Sequence, residues 1–201
     1  MIYHRGGRRV LRPFQSSLWF PDASALSAYS AVKLKDTVIS LEFSIVPLQS
    51  LKVISDAGID IFPHVCVGLD FGGLRGELQA LELISELDPT TVVITGLMPI
   101  AGTPMASVKP DPYDFAGVFC RATELFPETP ITLGCAHSSG RDRELIERIA
   151  LECSVLHIAL PTPGFVRYAE ARGYGTGYFG TCCGVLPRDC SRIDEIMKLS
   201  G

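Results

Sequence analysis

The chain has 201 residues, of which 47% are hydrophobic and 20% are charged, with a formal net charge of −4. This length and apolar content suit one domain with a substantial core. The weak net charge excludes a global field that would attract nucleic acid or an anionic membrane, and no apolar run approaches the roughly 20 residues of a membrane span. The amino end does not resemble a secretory signal, so we expect a cytoplasmic protein without nucleic-acid or membrane partners.

Residues 1–36 show little periodicity, and their start is rich in basic side chains, including Arg5, Arg8 and Arg9. A solvated basic arm is one interpretation, and contact with a phosphate or a partner is the other. We predict an irregular arm over 1–36, a domain over 37–187 and a carboxyl-terminal helix or tail over 188–201.

Strand and helix patterns alternate along the domain. A strand at 37–46 and a helix ended by Gly58 come first. The same pair of patterns then recurs, with strands at 59–67, 91–98, 130–135 and 154–160, and helices at 77–87, 114–126, 141–152 and 164–172. A last short strand is expected near 174–179 and a closing helix at 193–199.

This alternation, at roughly 30-residue spacing, predicts parallel βαβ units and an α/β fold. Apolar runs such as Val92-Val93-Ile94 predict a sheet covered on both faces. We expect a partial (β/α) TIM-type barrel of about five or six parallel strands, since a full barrel needs about eight. An open doubly wound sheet is the alternative that periodicity leaves open.

A glycine-rich turn follows the strand at 59–67 and contains Gly68, Gly72, Gly73 and Gly76. It stands at the carboxyl end of a parallel strand, where α/β proteins place ligands. It matches neither the Walker loop nor Gly-x-Gly-x-x-Gly. A ligand-facing loop and a loop that merely turns both remain open.

The next strand ends carry further candidates: the Gly102-Thr103-Pro104 loop, and Cys135 with Arg141. Together with Cys66, these place thiol and guanidinium groups on one predicted rim. Such groups suit an iron–sulfur cluster or an anionic ligand, and a small buried hydrophobe is the alternative for each cysteine. His137, in the loop after the strand at 130–135, is the best candidate among the histidines for a functional role.

The seven cysteines are an odd number and do not form a disulfide framework, so they are expected as free thiols, core residues or metal ligands. The pair Cys182-Cys183 indicates either metal or redox chemistry or a tail without function. With Cys135 it would form a thiol or zinc site. Cys120 and Cys153 lie in helical patterns and are expected in the core.

Several of these segments, taken in order, resemble the radical S-adenosylmethionine enzymes of the biotin synthase and lipoyl synthase type. The resemblance covers roughly residues 49–184 and is carried by Asp56-Ala57-Gly58-Ile59, His64-Val65-Cys66-Val67-Gly68-Leu69, Arg75-Gly76-Glu77, Gly102-Thr103-Pro104-Met105, Leu133-Gly134-Cys135 and Gly140-Arg141.

The resemblance implies contacts with S-adenosylmethionine through two groups of residues, Val67, Gly68, Leu69, Gly76 and Glu77 in the first loop and Gly102, Thr103 and Pro104 in the second. It also implies an iron–sulfur cofactor, with Cys66 as a cluster ligand and Arg141 near a ligand position. Cys135, Cys182 and Cys183 complete the candidate metal ligands.

One departure limits what the resemblance implies. The family binds its catalytic cluster through Cys-x-x-x-Cys-x-x-Cys, whereas this sequence has no cysteine before Cys66. We therefore expect a shortened relative that does not cleave S-adenosylmethionine without a partner, and whether it is an enzyme stays open. The alternatives are a non-catalytic binding or structural module and a thiol- or zinc-binding protein. An open sheet edge would favour a protein partner or self-association.

Overall fold

The structure, a computed structural model, describes residues 2–4, 49–155, 157–178 and 183. The predicted strand at 37–46, the closing helix and Cys182 lie outside these residues. Helical residues 49–56 form α1. The other elements, in chain order, are β1 Ile2–His4, β2 His64–Val67, α2 Glu77–Ser85, β3 Val92–Gly96, α3 Asp114–Leu125, β4 Ile131–Leu133, α4 Arg141–Glu152, β5 His157–Ile158, α5 Pro163–Ala171 and β6 Tyr174–Thr176.

Four strands form a parallel sheet in the order β2-β3-β4-β5, each beside the next strand in sequence. Val65 pairs with Ile94, which pairs with Leu133, which pairs with Ile158. This confirms the predicted α/β class and parallel βαβ succession. The unreversed strand order is compatible with a partial TIM-like fold, and β2 and β5 are the outer strands of the described sheet.

The helices from α2 onward begin and end within two residues of their predicted limits, whereas the strands are shorter. Before β2, for example, the Ile61 N–H donates to the Thr90 side chain (3.2 Å) rather than to a neighbouring strand. Among the described residues, no helix has the length and apolar character needed to cross a membrane.

The last predicted strand is present as β6 but does not join the parallel sheet. It pairs antiparallel with β1, with Ile2 opposite Thr176 and His4 opposite Tyr174. Its sequence Tyr-Gly-Thr is partly exposed along its length and lacks the apolar run that a two-sided parallel strand needs. The predicted strand is therefore confirmed, but counting it among the parallel strands is wrong.

The two faces of the parallel sheet differ in chemistry. Alternation places Val65, Val67, Ile94 and Leu133 on the face that packs against the helices, within one hydrophobic core. The opposite face carries polar side chains along its rows, namely Cys66, Thr95, Thr132 and His157. Val92, Val93 and Ile94 are all fully buried, which confirms that both faces are covered at β3.

Candidate functional site

Glu77, the first residue of α2, closes the glycine loop, defined as residues 68–76. Its side chain is buried and accepts hydrogen bonds from the backbone N–H groups of Gly68 (2.8 Å), Arg75 (2.9 Å) and Gly76 (3.0 Å). A carboxylate is favoured at a helix amino terminus, and its hydrogen bonds are charge-assisted. One side chain therefore fixes both ends of the loop.

Further bonds fold the glycine loop onto itself. The Gly72 N–H donates to the Gly68 carbonyl and the Gly73 N–H to the Asp70 carbonyl, both at 2.9 Å. Arg75 forms an ion pair with Asp70 at 2.9 Å. The N–H groups of all four loop glycines thus have partners within the loop or on Glu77, so these four are not free to form an anion-binding nest.

Gly68 and Gly72, the first two glycines of the loop, are required because another segment of the chain packs closely against them. Gly68 has φ of +85° and Gly72 φ of +92°, which L side chains rarely adopt. A Cβ on Gly68 would lie 2.5 Å from Pro110 Cγ, and one on Gly72 would lie 3.1 Å from the Lys109 carbonyl oxygen. The close approach that glycine permits is therefore used here by residues 108–110, which follow the Gly102-Thr103-Pro104 turn.

That turn is exposed and closes on itself. The Thr103 hydroxyl and N–H both donate to the Ile100 carbonyl, at 2.8 Å and 3.2 Å. Gly102 has φ of +83° with open space where a Cβ would lie. The two predicted site loops do meet, but through residues 108–110.

Large apolar side chains are exposed on these same two loops. Leu69 is 62% exposed, and four other side chains are between 39% and 68% exposed, namely Phe71, Met98, Ile100 and Tyr113. Clusters of exposed apolar side chains are typical of binding surfaces. Of the predicted cofactor contacts in the glycine loop, Leu69 is thus the accessible apolar one, whereas Val67 and Gly68 are buried.

Cys66 lies on β2 opposite Thr95, on the polar face of the sheet. Burial raises the pKa of the Cys66 thiol, the hydrogen bond with Thr95 opposes this, and the Glu77 charge adds to the rise. Cys66 is therefore protonated at neutral pH. Binding of a metal would have to displace that proton.

Metal ligands do not converge within the described part of the chain, where no group of three His, Cys, Asp or Glu side chains could hold an ion. Cys66 and Cys135 belong to β2 and to the loop after β4, with β3 between them. The Cys135 N–H donates to Cys183 Sγ at 3.4 Å, which brings two predicted ligands together. The described residues by themselves do not fit an iron–sulfur cluster, which needs about four protein ligands.

The loop after β4 turns His137 into the interior. His137 is 1% exposed, with Nδ1 2.5 Å from the Gly134 carbonyl oxygen and Nε2 3.5 Å from Glu147 Oε1. The expectation of a rim histidine is wrong here, because the loop packs this ring against α4.

Glu147 of α4 is fully buried and joins α4 to the start of α5. It accepts hydrogen bonds from the Thr162 N–H (3.1 Å) and hydroxyl (2.5 Å), and Arg143 Nε lies 3.3 Å from Oε1. The Thr162 hydroxyl also accepts from the Phe165 N–H at 3.2 Å and so caps α5. This carboxylate connects two successive β–α units.

Two arginines stand near the carboxyl end of β4. Arg141, the residue singled out from sequence, is exposed at the first position of α4. Arg143 is instead the guanidinium held at the strand ends, donating to the Leu160 carbonyl at 2.8 Å. The i,i+4 spacing of Arg143 and Glu147 is the signal that could have revealed this pair.

Fold and site together define an α/β protein of successive β–α units, with two loops meeting at the carboxyl edge of a parallel sheet, where such proteins bind ligands.

No protein-family model matches the chain. Among curated proteins it is similar to biotin synthases, with 33% identity over 100 residues to that of Gloeobacter violaceus, covering 47% of this chain and 29% of that protein. A "Biotin synthase 2" of Polaromonas sp. is 34% identical over 102 residues, 48% of this chain and 27% of that protein. The biotin synthase of Zymomonas mobilis is 27% identical over 122 residues, 58% of this chain and 36% of that protein.

These partial matches support a relationship to biotin synthases, and hence a radical S-adenosylmethionine-like one, over about half of the chain. The chain spans less than a third of the length of the first two of these relatives.

Proposed function

We propose that this chain is a radical S-adenosylmethionine-like protein related to biotin and lipoyl synthases, and that its glycine loop and β3–α3 loop form one wall of an S-adenosylmethionine site. The observation that carries the proposal is the 33% identity to biotin synthase over 100 residues. The two loops that meet at the carboxyl edge of β2 and β3 supply the geometry.

The roles of the residues follow from their surroundings. Glu77 holds the loop in one shape, and exposed Leu69 offers an apolar surface for the adenosyl group. Because the N–H group of Gly76 is bonded to Glu77 and that of Thr103 to Ile100, these two predicted contacts would act through carbonyl groups and shape, and Gly102 and Pro104 complete the wall.

Radical chemistry would need an iron–sulfur cluster, and the described residues do not supply enough ligands to hold one by themselves. When bound, a reduced iron–sulfur cluster would supply the electron for reductive cleavage of S-adenosylmethionine. We propose that this chain binds the cofactor without cleaving it, and that a cluster-bearing protein partner supplies the missing ligands. Cys66 is then one ligand candidate, with Arg141, Cys135, Cys182 and Cys183 as the others.

Partner binding gives the proposal a direct test. The chain would be incubated anaerobically with S-adenosylmethionine and dithionite, alone and with a cluster-loaded fragment of a biotin synthase that carries Cys-x-x-x-Cys-x-x-Cys. We expect 5′-deoxyadenosine only in the mixture, at a level above the fragment by itself. Product from the chain alone would contradict the need for a partner, and no gain in the mixture would favour a non-catalytic binding or structural module.

An outer strand offers the surface for such an association, because its backbone groups can pair with another chain. We expect self-association when no partner is present. A single monomer species at all concentrations in sedimentation would contradict this expectation.

A thiol or zinc site is the second candidate, favoured by the 3.4 Å contact between the Cys135 N–H and Cys183 Sγ. Protein purified under reducing conditions would then contain zinc, and Cys183→Ser would lose it while Cys66→Ser would retain it. Absence of zinc from the wild-type protein would remove this candidate.

A further inference from the structure

Two cysteines outside the proposed site lie next to each other in the helix layer. Cys120 belongs to α3 and Cys153 is the residue that ends α4, and their Sγ atoms are 3.7 Å apart. A disulfide bond is about 2.05 Å long, so the two sulfur atoms need to approach by less than about 2 Å. Both side chains are partly exposed, and rotation about their Cα–Cβ bonds is the motion that would bring the two sulfur atoms together.

The two thiols differ in acidity because one hydrogen bond joins them. The bond from Cys153 lowers the pKa of Cys120 to about 7 and outweighs burial and the Glu124 charge, which raise it. The same bond and burial raise the pKa of Cys153. The hydrogen bond between the two sulfur atoms, in which either could be the donor, therefore favours one thiolate and one thiol in the pair. The thiolate is the nucleophilic form.

We propose that Cys120 and Cys153 form a redox-active dithiol, which low-molecular-weight disulfides oxidise to a disulfide bond between α3 and α4. Cys120 is the attacking thiol and Cys153 the resolving one.

The exchange balances in two steps. The Cys120 thiolate attacks one sulfur of the small disulfide, forms a mixed disulfide and releases one small thiolate. The Cys153 sulfur then attacks Cys120 Sγ, gives up its proton and releases the second small thiol. Two protein thiols are oxidised and one small disulfide is reduced to two thiols.

Cys66 offers a matched comparison within the same chain. It is also partly exposed, but its pKa is raised by burial, and it stands on the polar face of the sheet whereas Cys120 lies in the helix layer. The proposal therefore requires the protein disulfide to form at Cys120, which has a second sulfur atom 3.7 Å away, and not at Cys66, whose bonded neighbour is Thr95.

The test uses the full reduced chain treated with oxidised glutathione at pH 7.5, followed by peptide mapping. We expect a linked peptide containing Cys120 and Cys153, loss of two titratable thiols, and full reversal by dithiothreitol. A Cys120–Cys153 peptide no more abundant than other cysteine pairings would overturn the proposal.

Single variants assign the two roles. Cys153→Ser should stop at one glutathione on Cys120, and Cys120→Ser should leave Cys153 unmodified over the same time. The reverse pattern would overturn the assignment.

If either variant fails to fold, alkylation of the wild-type protein still tests the proposal. Limiting iodoacetamide at pH 7.5 should alkylate Cys120 before Cys66, and alkylation of Cys66 first would contradict the proposal.

Discussion

Two buried glutamates stabilise the carboxyl edge of the sheet in different ways. Glu77 accepts hydrogen bonds from three N–H groups that are at most nine residues away, all in the loop that leads to its own helix. Glu147 bonds to Thr162, fifteen residues away at the start of the next helix, and also faces Arg143 and His137. The first carboxylate shapes one loop, and the second joins two β–α units.

The two ends of the carboxyl edge of the sheet therefore differ in what they expose. At β2, the bonds around Glu77 fix the glycine loop while Leu69 remains exposed. At β4 and β5, the polar groups face one another in the interior. The β2–β3 end therefore leaves an apolar side chain accessible, whereas the polar groups at the β4–β5 end join two elements.

Replacing Glu147 should have the largest effect on stability. Glu147→Ala leaves the Thr162 groups, the Arg143 guanidinium and His137 without their carboxylate in a buried site, and should reduce the free energy of unfolding by about 3 kcal/mol. Urea denaturation measures this.

Glu124→Ala is the control, because Glu124 is exposed in α3 and its ion pair with Arg121 should contribute less than about 0.5 kcal/mol. Equal losses in the two variants would contradict the structural role of Glu147.

Replacing Glu77 should have a smaller and more local effect. Glu77→Ala should cost about 2 kcal/mol, because three N–H groups lose a charged acceptor but can turn towards water. Hydrogen exchange should accelerate in residues 68–76 and change little in β4 and β5. Glu82→Ala, in the same helix but exposed, is the matched control. Uniform acceleration across the sheet would show that Glu77 is not a local clamp.

Replacing two different glycines distinguishes the cost of backbone strain from the cost of side-chain crowding. Gly68 and Gly102 have φ of +85° and +83°, but only Gly68 has a neighbour, Pro110, where a Cβ would lie. Gly102→Ala should cost about 1 kcal/mol, and Gly68→Ala should cost about 1 kcal/mol more because of the overlap. Similar melting temperatures for the two variants would contradict the packing of residues 108–110 on this loop.

The smallest expected effect is the pH dependence due to Cys66. Burial raises its pKa above the ordinary value of 9.0, so the folded state holds this proton more tightly than the unfolded state. The resulting stability is fully present below pH 9.0 and is lost as the pH rises through the raised pKa. Unfolding of Cys66→Ser should therefore depend less on pH above that value than unfolding of the wild type. Identical profiles would show that the thiol does not titrate differently on folding.

Periodicity predicted the parallel β–α units well, because apolar patterns such as Val92-Val93-Ile94 report burial directly. It predicted β6 as a strand but did not predict its antiparallel pairing with β1, at the distant end of the chain. Glycine content located the loop after β2, but the reason for Gly68, contact with Pro110, depends on tertiary packing.

The site was predicted only in outline. Cys66, Leu69 and Glu77 lie at the carboxyl end of β2. Arg141 is exposed and His137 is buried, and the guanidinium held near the strand ends is that of Arg143. The Glu147–Thr162 bond and the Cys120–Cys153 contact join separate elements, and a single sequence carries no local pattern for them.

Binding of S-adenosylmethionine tests the central claim most directly. Isothermal titration would compare the wild-type chain with Leu69→Asp and with Val53→Asp, a control on α1 whose apolar side chain is equally exposed at 69% against 62% for Leu69. We predict saturable binding to the wild type and to Val53→Asp, and binding weaker by about tenfold or more, roughly 1.4 kcal/mol, for Leu69→Asp. No saturable binding to the wild type, or equal binding to all three proteins, would contradict the proposed site.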